Sequence, residues 1–164
     1  MAATATTFWP AAKATTRSTA ARAMTLRFSE DSDSIYMDDG NDFIDGASAG
    51  SAFYAEGGAG NDLINSGNGA DTIYGGDGND RLNGGAEDDL LNGGAGDDQF
   101  MGGAGNDTLI VGDGSDTVSG GSGDDVFVLQ DVPGTVRIVD FGANDAADLI
   151  DLSQIEGYDT ADAV

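Results

Sequence analysis

Residues 57–128 read GGAGNDLIN (57–65), SGNGADTIY (66–74), GGDGNDRLN (75–83), GGAEDDLLN (84–92), GGAGDDQFM (93–101), GGAGNDTLI (102–110), VGDGSDTVS (111–119) and GGSGDDVFV (120–128). These are eight contiguous nonads without a gap. The sixth position is Asp every time: Asp62, Asp71, Asp80, Asp89, Asp98, Asp107, Asp116 and Asp125. The eighth is always apolar: Ile64, Ile73, Leu82, Leu91, Phe100, Leu109, Val118 and Phe127. Of the 27 glycines, 21 fall in this block. A fixed period of this kind marks a repeat architecture in which stacked units share one core.

A nonad divides into a six-residue turn and a three-residue strand. Side chains alternate along a strand, so the apolar eighth residue faces inward and its neighbours outward. One apolar residue per strand closes a core only against a second sheet. Two nonads then form one coil of a flattened right-handed solenoid, with parallel strands roughly 4.8 Å apart. The fold expected is all-β: a right-handed parallel β-roll with terminal caps.

The turns carry the chemistry. Glycines at the first, second and fourth positions allow positive φ and bring carbonyls together. Gly58, Gly60, Gly76, Gly78, Gly94, Gly96, Gly103 and Gly105 are candidate carbonyl donors beside the sixth-position carboxylates. Dense carboxylate and carbonyl oxygen suits Ca²⁺, which takes about 6–8 oxygen ligands; Mg²⁺ keeps its water. The chain has no Cys and no His, so Zn²⁺ lacks its preferred donors. Alternate nonads share an edge, so Asp62, Asp80, Asp98 and Asp116 line one and Asp71, Asp89, Asp107 and Asp125 the other. An ion between stacked turns bridges Asp residues 18 apart in sequence, giving about six Ca²⁺ in the regular block. Without ions the stacked carboxylates repel, and a thin core does not offset the chain entropy of so many glycines. Residues 28–164 are expected to be largely disordered without calcium and to fold on binding it.

Charge supports the same reading. Of 164 residues 30 are acidic and 6 basic, a net charge of -24. Residues 1–27 hold Lys13, Arg17, Arg22 and Arg27 and no acid. The excess of negative charge opposes binding to nucleic acid or an anionic membrane. Absence of His and Cys removes the Ser-His-Asp triad, the H-E-x-x-H helix, thiolate chemistry and any disulfide framework. No GxxxxGK[ST] phosphate loop occurs, the period excludes collagen, and no run of 18 apolar residues could span a bilayer.

Outside the block the pattern weakens. FSEDSDSIY (28–36) and MDDGNDFID (37–45) are degenerate nonads, while GASAGSAFY (46–54) keeps Phe53 as its apolar residue and has Ser51 where Asp belongs. Ala55 and Glu56 then shift the phase by two, and an irregular turn is expected there. Residues 1–23 read as a disordered basic Ala/Thr-rich tail, with a targeting peptide as the alternative; no Sec signal is present. Residues 24–56 read as an N-terminal cap with degenerate repeats, 129–153 as a C-terminal cap turning at Pro133-Gly134, and 154–164 as a tail.

GGAGNDLIN, GGDGNDRLN and GGAGNDTLI resemble the RTX (repeats-in-toxin, hemolysin-type) nonapeptide GGxGxDxUx. Val136-Arg-Ile-Val-Asp-Phe141 and Asp148-Leu-Ile-Asp-Leu-Ser153 are similar to the stretch that closes RTX rolls in secreted proteases. The resemblance implies calcium binding, a parallel β-roll, and type I secretion to the cell exterior or surface. It assigns the sixth-position Asp residues and turn carbonyls as ligands, and Asp140, Asp148 and Asp151 as ligands or cap residues. Departures are Glu87 in place of a fourth-position Gly, and Ser66 and Val111 in place of first-position Gly. Glu87 places the gaps flanking Asp89 in doubt, because a non-Gly residue resists positive φ.

Plainer roles compete. A sixth-position Asp alone could be an Asx-turn residue, but eight in register point to a ligand set. Asp77, Asp88, Asp97, Asp113 and Asp124 read as solvated charge, with fifth-position carbonyls rather than their side chains toward the metal. Tyr36, Tyr54 and Tyr74 read as packing or surface residues rather than a sugar platform. Trp9 has no evident role. The function read is a secreted, non-catalytic calcium-binding module, monomeric or weakly self-associating through its ends. Accessory roll of a larger secreted enzyme (protease, lipase or epimerase) and surface adhesin are the alternatives.

Overall fold

The computed structural model describes residues 34–46, 50–130, 133–143 and 147–156, with the backbone of 5–8, 15–17 and 24–27. All regular structure among them is strand. In chain order the strands are β1 (Ala5–Phe8), β2 (Thr15–Arg17), β3 (Met24–Arg27), β4 (Ser34–Tyr36), β5 (Phe43–Asp45), β6 (Tyr54–Ala59), β7 (Leu63–Asn68) and β8 (Thr72–Asp77). They continue with β9 (Arg81–Ala86), β10 (Leu90–Ala95), β11 (Gln99–Ala104), β12 (Thr108–Val111), β13 (Gly114–Ser122), β14 (Val126–Gln130), β15 (Gly134–Ile138) and β16 (Leu149–Gln154). Odd strands make one sheet in sequence order and even strands the other. Each strand is therefore parallel to the one two places on, as in a roll of two nonads per coil. In the regular block the register is 18 residues: Leu82 faces Phe100 and then Val118, and Ile73 faces Leu91, Leu109 and Phe127.

The inward residues form two facing stacks. Ile44, Ile64, Leu82, Phe100 and Val118 come from the odd sheet; Ile35, Ala55, Ile73, Leu91, Leu109 and Phe127 come from the even sheet. All are buried in one core. Burying a Leu, Ile, Val or Phe contributes roughly 1.5–3 kcal/mol each, so a core of about one such residue per nonad is continuous but thin.

Three details correct the sequence reading. First, most strands in the block are six residues long rather than three. They run through the first, second and third positions of the following nonad, as in Gly94 paired with Gly76 and Gly103 with Gly85. Consecutive glycines carry no side chain that would keep them out of the ladder, so the parallel hydrogen bonds continue through them.

Second, the phase shift lies earlier than Ala55. Ala55 pairs with Ile35 and Ile73 and points inward, which is the eighth-position role. Phe53 takes the sixth position: its N–H donates to Asp71 and its carbonyl accepts from Thr72. The two extra residues fall between Asp45 and Phe53. Ala55 and Phe53 are both buried in the core.

Third, β1 and β2 lie within the stretch read as a disordered tail. Ala5 pairs with Met24 and Thr15 with Ser34, in parallel register with the strands that follow. Threonine is β-branched and favours strands, and a solenoid offers each added segment a ready parallel edge.

At the other end, β15 and β16 extend both sheets past the repeats. The capping stretches 136–141 and 148–153 thus enter the roll as its last strands and turns.

Candidate metal centre

The eight sixth-position Asp side chains are buried, none more than 3% exposed. Seven of them sit just before a strand and Asp116 lies within β13; where the nonad begins with Gly, the carboxyl lies over that glycine. At Gly57, Gly75, Gly84, Gly102 and Gly120 an added methyl group would overlap the Oδ2 of Asp62, Asp80, Asp89, Asp107 and Asp125. Glycine is required there for room, not for φ.

One carboxyl oxygen is committed. Asp80 Oδ1 accepts the N–H of Asp62 at 2.8 Å, Asp98 that of Asp80 at 2.8 Å, and Asp116 that of Asp98 at 2.9 Å. On the opposite edge Asp89 accepts from Asp71 at 2.8 Å, Asp107 from Asp89 at 2.9 Å, and Asp125 from Asp107 at 2.9 Å. The residues the sequence places 18 apart are thereby brought into two continuous ladders. Each ladder also gains a member. Asp42, itself buried, donates its N–H to Asp62 Oδ1 at 2.7 Å, and Asp148 accepts from Asp125 at 3.1 Å.

The other oxygen is not committed. All eight Oδ2 atoms are buried and have no hydrogen-bond partner. An unpaired buried carboxylate is costly and calls for a proton or a cation. Burial pushes the carboxyls of Asp62, Asp71, Asp98 and Asp107 up to about 6, that of Asp80 to about 7 and that of Asp89 to about 8. The backbone N–H bonds act in the opposite direction and are outweighed. Asp116 and Asp125 shift upward for the same reason.

Main-chain oxygen lies beside the orphan atoms. The carbonyl of Gly75 faces the same point over Gly57 as Asp62 Oδ2, and Gly120 stands likewise to Asp107 over Gly102. These first-position carbonyls were absent from the sequence-derived set. The glycines that set contained all take positive φ, from 95° at Gly94 to 143° at Gly60. The carbonyls of Gly58, Gly60, Gly76, Gly78, Gly94, Gly96, Gly103 and Gly105 pack against glycines of the next coil. Glu87 adopts φ 76°, the one non-glycine with positive φ among the described residues. Its carbonyl packs against Gly105 as a glycine's would, so the turn keeps its shape. Ser66 also fits: its buried hydroxyl donates to the Gly84 carbonyl at 2.7 Å.

Asp140 stands apart from both ladders. It caps β13, accepting from Ser119 Oγ and from the N–H groups of Gly120 and Gly121. Asp148 also accepts the N–H of Gly142 at 2.6 Å. Asp151 is half-buried, and the Ser153 N–H lowers its carboxyl.

The fifth position forms ladders that sequence reasoning missed. Asn79 N–H donates to Asn61 Oδ1, Asp97 to Asn79, and Ser115 to Asp97; on the other edge Asn106 donates to Asp88 and Asp124 to Asn106. Asp88, Asp97 and Asp124 are exposed, as read, yet each accepts an N–H. The recurrence of Asn or Asp at the fifth position was the available signal. These ladders run opposite to the sixth-position ones: here the later coil donates to the earlier.

No three acidic side chains cluster on one point among the described residues. A cation here must share carboxylate with main-chain carbonyl, a donor set of hard oxygens only. Fold and site together define an acidic nonapeptide-repeat β-roll with carboxylate-lined turns. The sequence matches the family model of the RTX calcium-binding nonapeptide repeat in four copies, over residues 29–49, 54–82, 74–109 and 92–127. The chain belongs to this family, whose repeats bind calcium. No curated protein and no solved structure matches it.

Proposed function

We propose that Ca²⁺ sits between successive turns on both edges of the roll, held by Asp62, Asp71, Asp80, Asp89, Asp98, Asp107, Asp116 and Asp125 through Oδ2 and by turn carbonyls. The eight buried, unpartnered carboxylate oxygens carry this reading. A divalent ion neutralises two neighbouring carboxylates without either giving up its Oδ1 bond. The regular block has three gaps per edge, hence about six ions. Asp42 and Asp148 leave room for one more on each edge.

Ion binding and folding are one event in this proposal. The metal-free coil must bury ionised carboxylates against like neighbours, and its thin core does not compensate. The chain acts as a non-catalytic calcium-dependent module, secreted by a type I system and folded by extracellular calcium. The lack of Cys, the unpaired acidity and the family membership support that setting. Asp140 serves as a strand cap rather than a ligand.

The test is a calcium titration followed by far-UV circular dichroism and calorimetry, with Mg²⁺ as control. A cooperative coil-to-β transition with calcium alone is expected. Asp89→Asn keeps an Oδ1 acceptor but loses the charge, and should reduce stoichiometry by one or two ions. Asp88→Asn, on the exposed ladder, should leave it unchanged. Full β structure in chelator, or equal response to Mg²⁺, would overturn the reading.

A further inference from the structure

The three tyrosines left without a role form a row, and two of them, Tyr54 and Tyr74, line a cleft. Tyr36 and Tyr54 stack with ring centroids 5.4 Å apart, and Tyr54 and Tyr74 5.8 Å apart, tilted 43° and 46°. The row crosses three coils on the outer face of the even sheet, since β4, β6 and β8 are neighbours there. Glu56 is in register between Tyr36 and Tyr74. The cleft, about 580 Å³, is lined by Tyr54 and Tyr74 with Glu56, Asp38, Asp39 and Asp77, and no basic residue lines it. Burial raises the Tyr54 phenol, and the Glu56 carboxylate adds to the effect.

We propose that this cleft binds an organic cation, specifically arginine side chains of a basic peptide segment. An aromatic floor offers its negative π-face to a cation, and surrounding carboxyl groups supply charge-assisted hydrogen bonds. Guanidinium suits the site better than ammonium because it is planar, stacks on tilted rings and presents a fork of donors to carboxylates. An apolar ligand would gain nothing from the charge of the four acids, and an anion would be repelled by all of them. None of the eight ladder carboxylates lines the cleft; the site needs the calcium-folded roll and so rests on the proposed function.

The probe is an acetylated, amidated tri-arginine peptide, titrated by calorimetry into the calcium-saturated full chain at physiological salt. Dichroism in calcium verifies each variant's fold, so failure of the roll and failure of the cleft are read separately. Tyr54→Leu and Glu56→Gln should each weaken binding about fivefold, the size of one partly desolvated cation–π or charged contact. Tyr54→Phe should retain affinity. Asp113→Asn removes the same charge outside the cleft and should change affinity less than twofold. Equal losses in Asp113→Asn and Glu56→Gln would overturn the proposal in favour of generic attraction to an acidic protein. It would equally fall if tri-lysine bound as tightly, or if Tyr54→Leu bound as well as the parent.

Discussion

At Glu87 the chain accepts a left-handed backbone, φ 76°, where each of the seven other nonads places a glycine with positive φ. The conformation costs an L-residue roughly 1–2 kcal/mol. Glu87→Gly should therefore stabilise the calcium-loaded roll, by about 1 kcal/mol or less because glycine also loosens the unfolded chain. The midpoint of urea denaturation in saturating calcium measures this; Glu87→Ala should give no gain, having the same φ problem. That Glu87 would be forced was readable from its place in the repeat. That the turn would keep its shape was not, because strain tolerance depends on the coils above and below. Phe53 teaches the converse. Its side chain matches an eighth-position residue, yet register places it sixth, and only the pairing of Ala55 with Ile35 and Ile73 decides between them.

On the scale of the strand, glycine pairs do two jobs. The second glycine continues the ladder with positive φ, while the first leaves space for a carboxylate. Gly102 isolates the second job, because its φ is not positive and an added methyl would overlap both Asp107 Oδ2 and the Gly120 carbonyl. Gly102→Ala is expected to destabilise the loaded roll by roughly 1–3 kcal/mol and to lower calcium stoichiometry. Gly50→Ala, where nothing lies within 4 Å, should do neither. Denaturation and calorimetry on the pair read both effects. Period and strand direction were visible in the nonads; strand length was not, since a Gly-Gly pair reads as turn in any single repeat. The exposed Asn/Asp ladders escaped for a similar reason: a fifth-position side chain finds its partner N–H only once coils are stacked.

For the whole molecule, pH separates protons from calcium as the neutralising species. The buried carboxyls of the metal-free roll lie above their ordinary 3.8, at about 6 for Asp62 and up to about 8 for Asp89. The folded state then holds more protons than the unfolded one, so metal-free stability is greatest below about pH 4 and is lost as pH rises to about 8. Dichroism in calcium-free buffer should show β content falling over that range, while calcium affinity rises over it as ions displace protons. A metal-free roll that gains β structure with rising pH would contradict this. The overall architecture was readable because eight repeats agree at two positions. The N-terminal strands β1 and β2 were hidden because Ala/Thr-rich sequence has no nonad signature, and their pairing comes from the edge that the repeats present.

The paired ladders also make the roll a polyelectrolyte. Two inward carboxylates per coil, at about 4.8 Å per coil, give one charge per roughly 2.4 Å of axis, against one per about 1.7 Å in duplex DNA. A rod of that linear density gathers counterions whatever their identity. Sodium at high concentration should therefore compete with calcium along the whole axis rather than at any single gap.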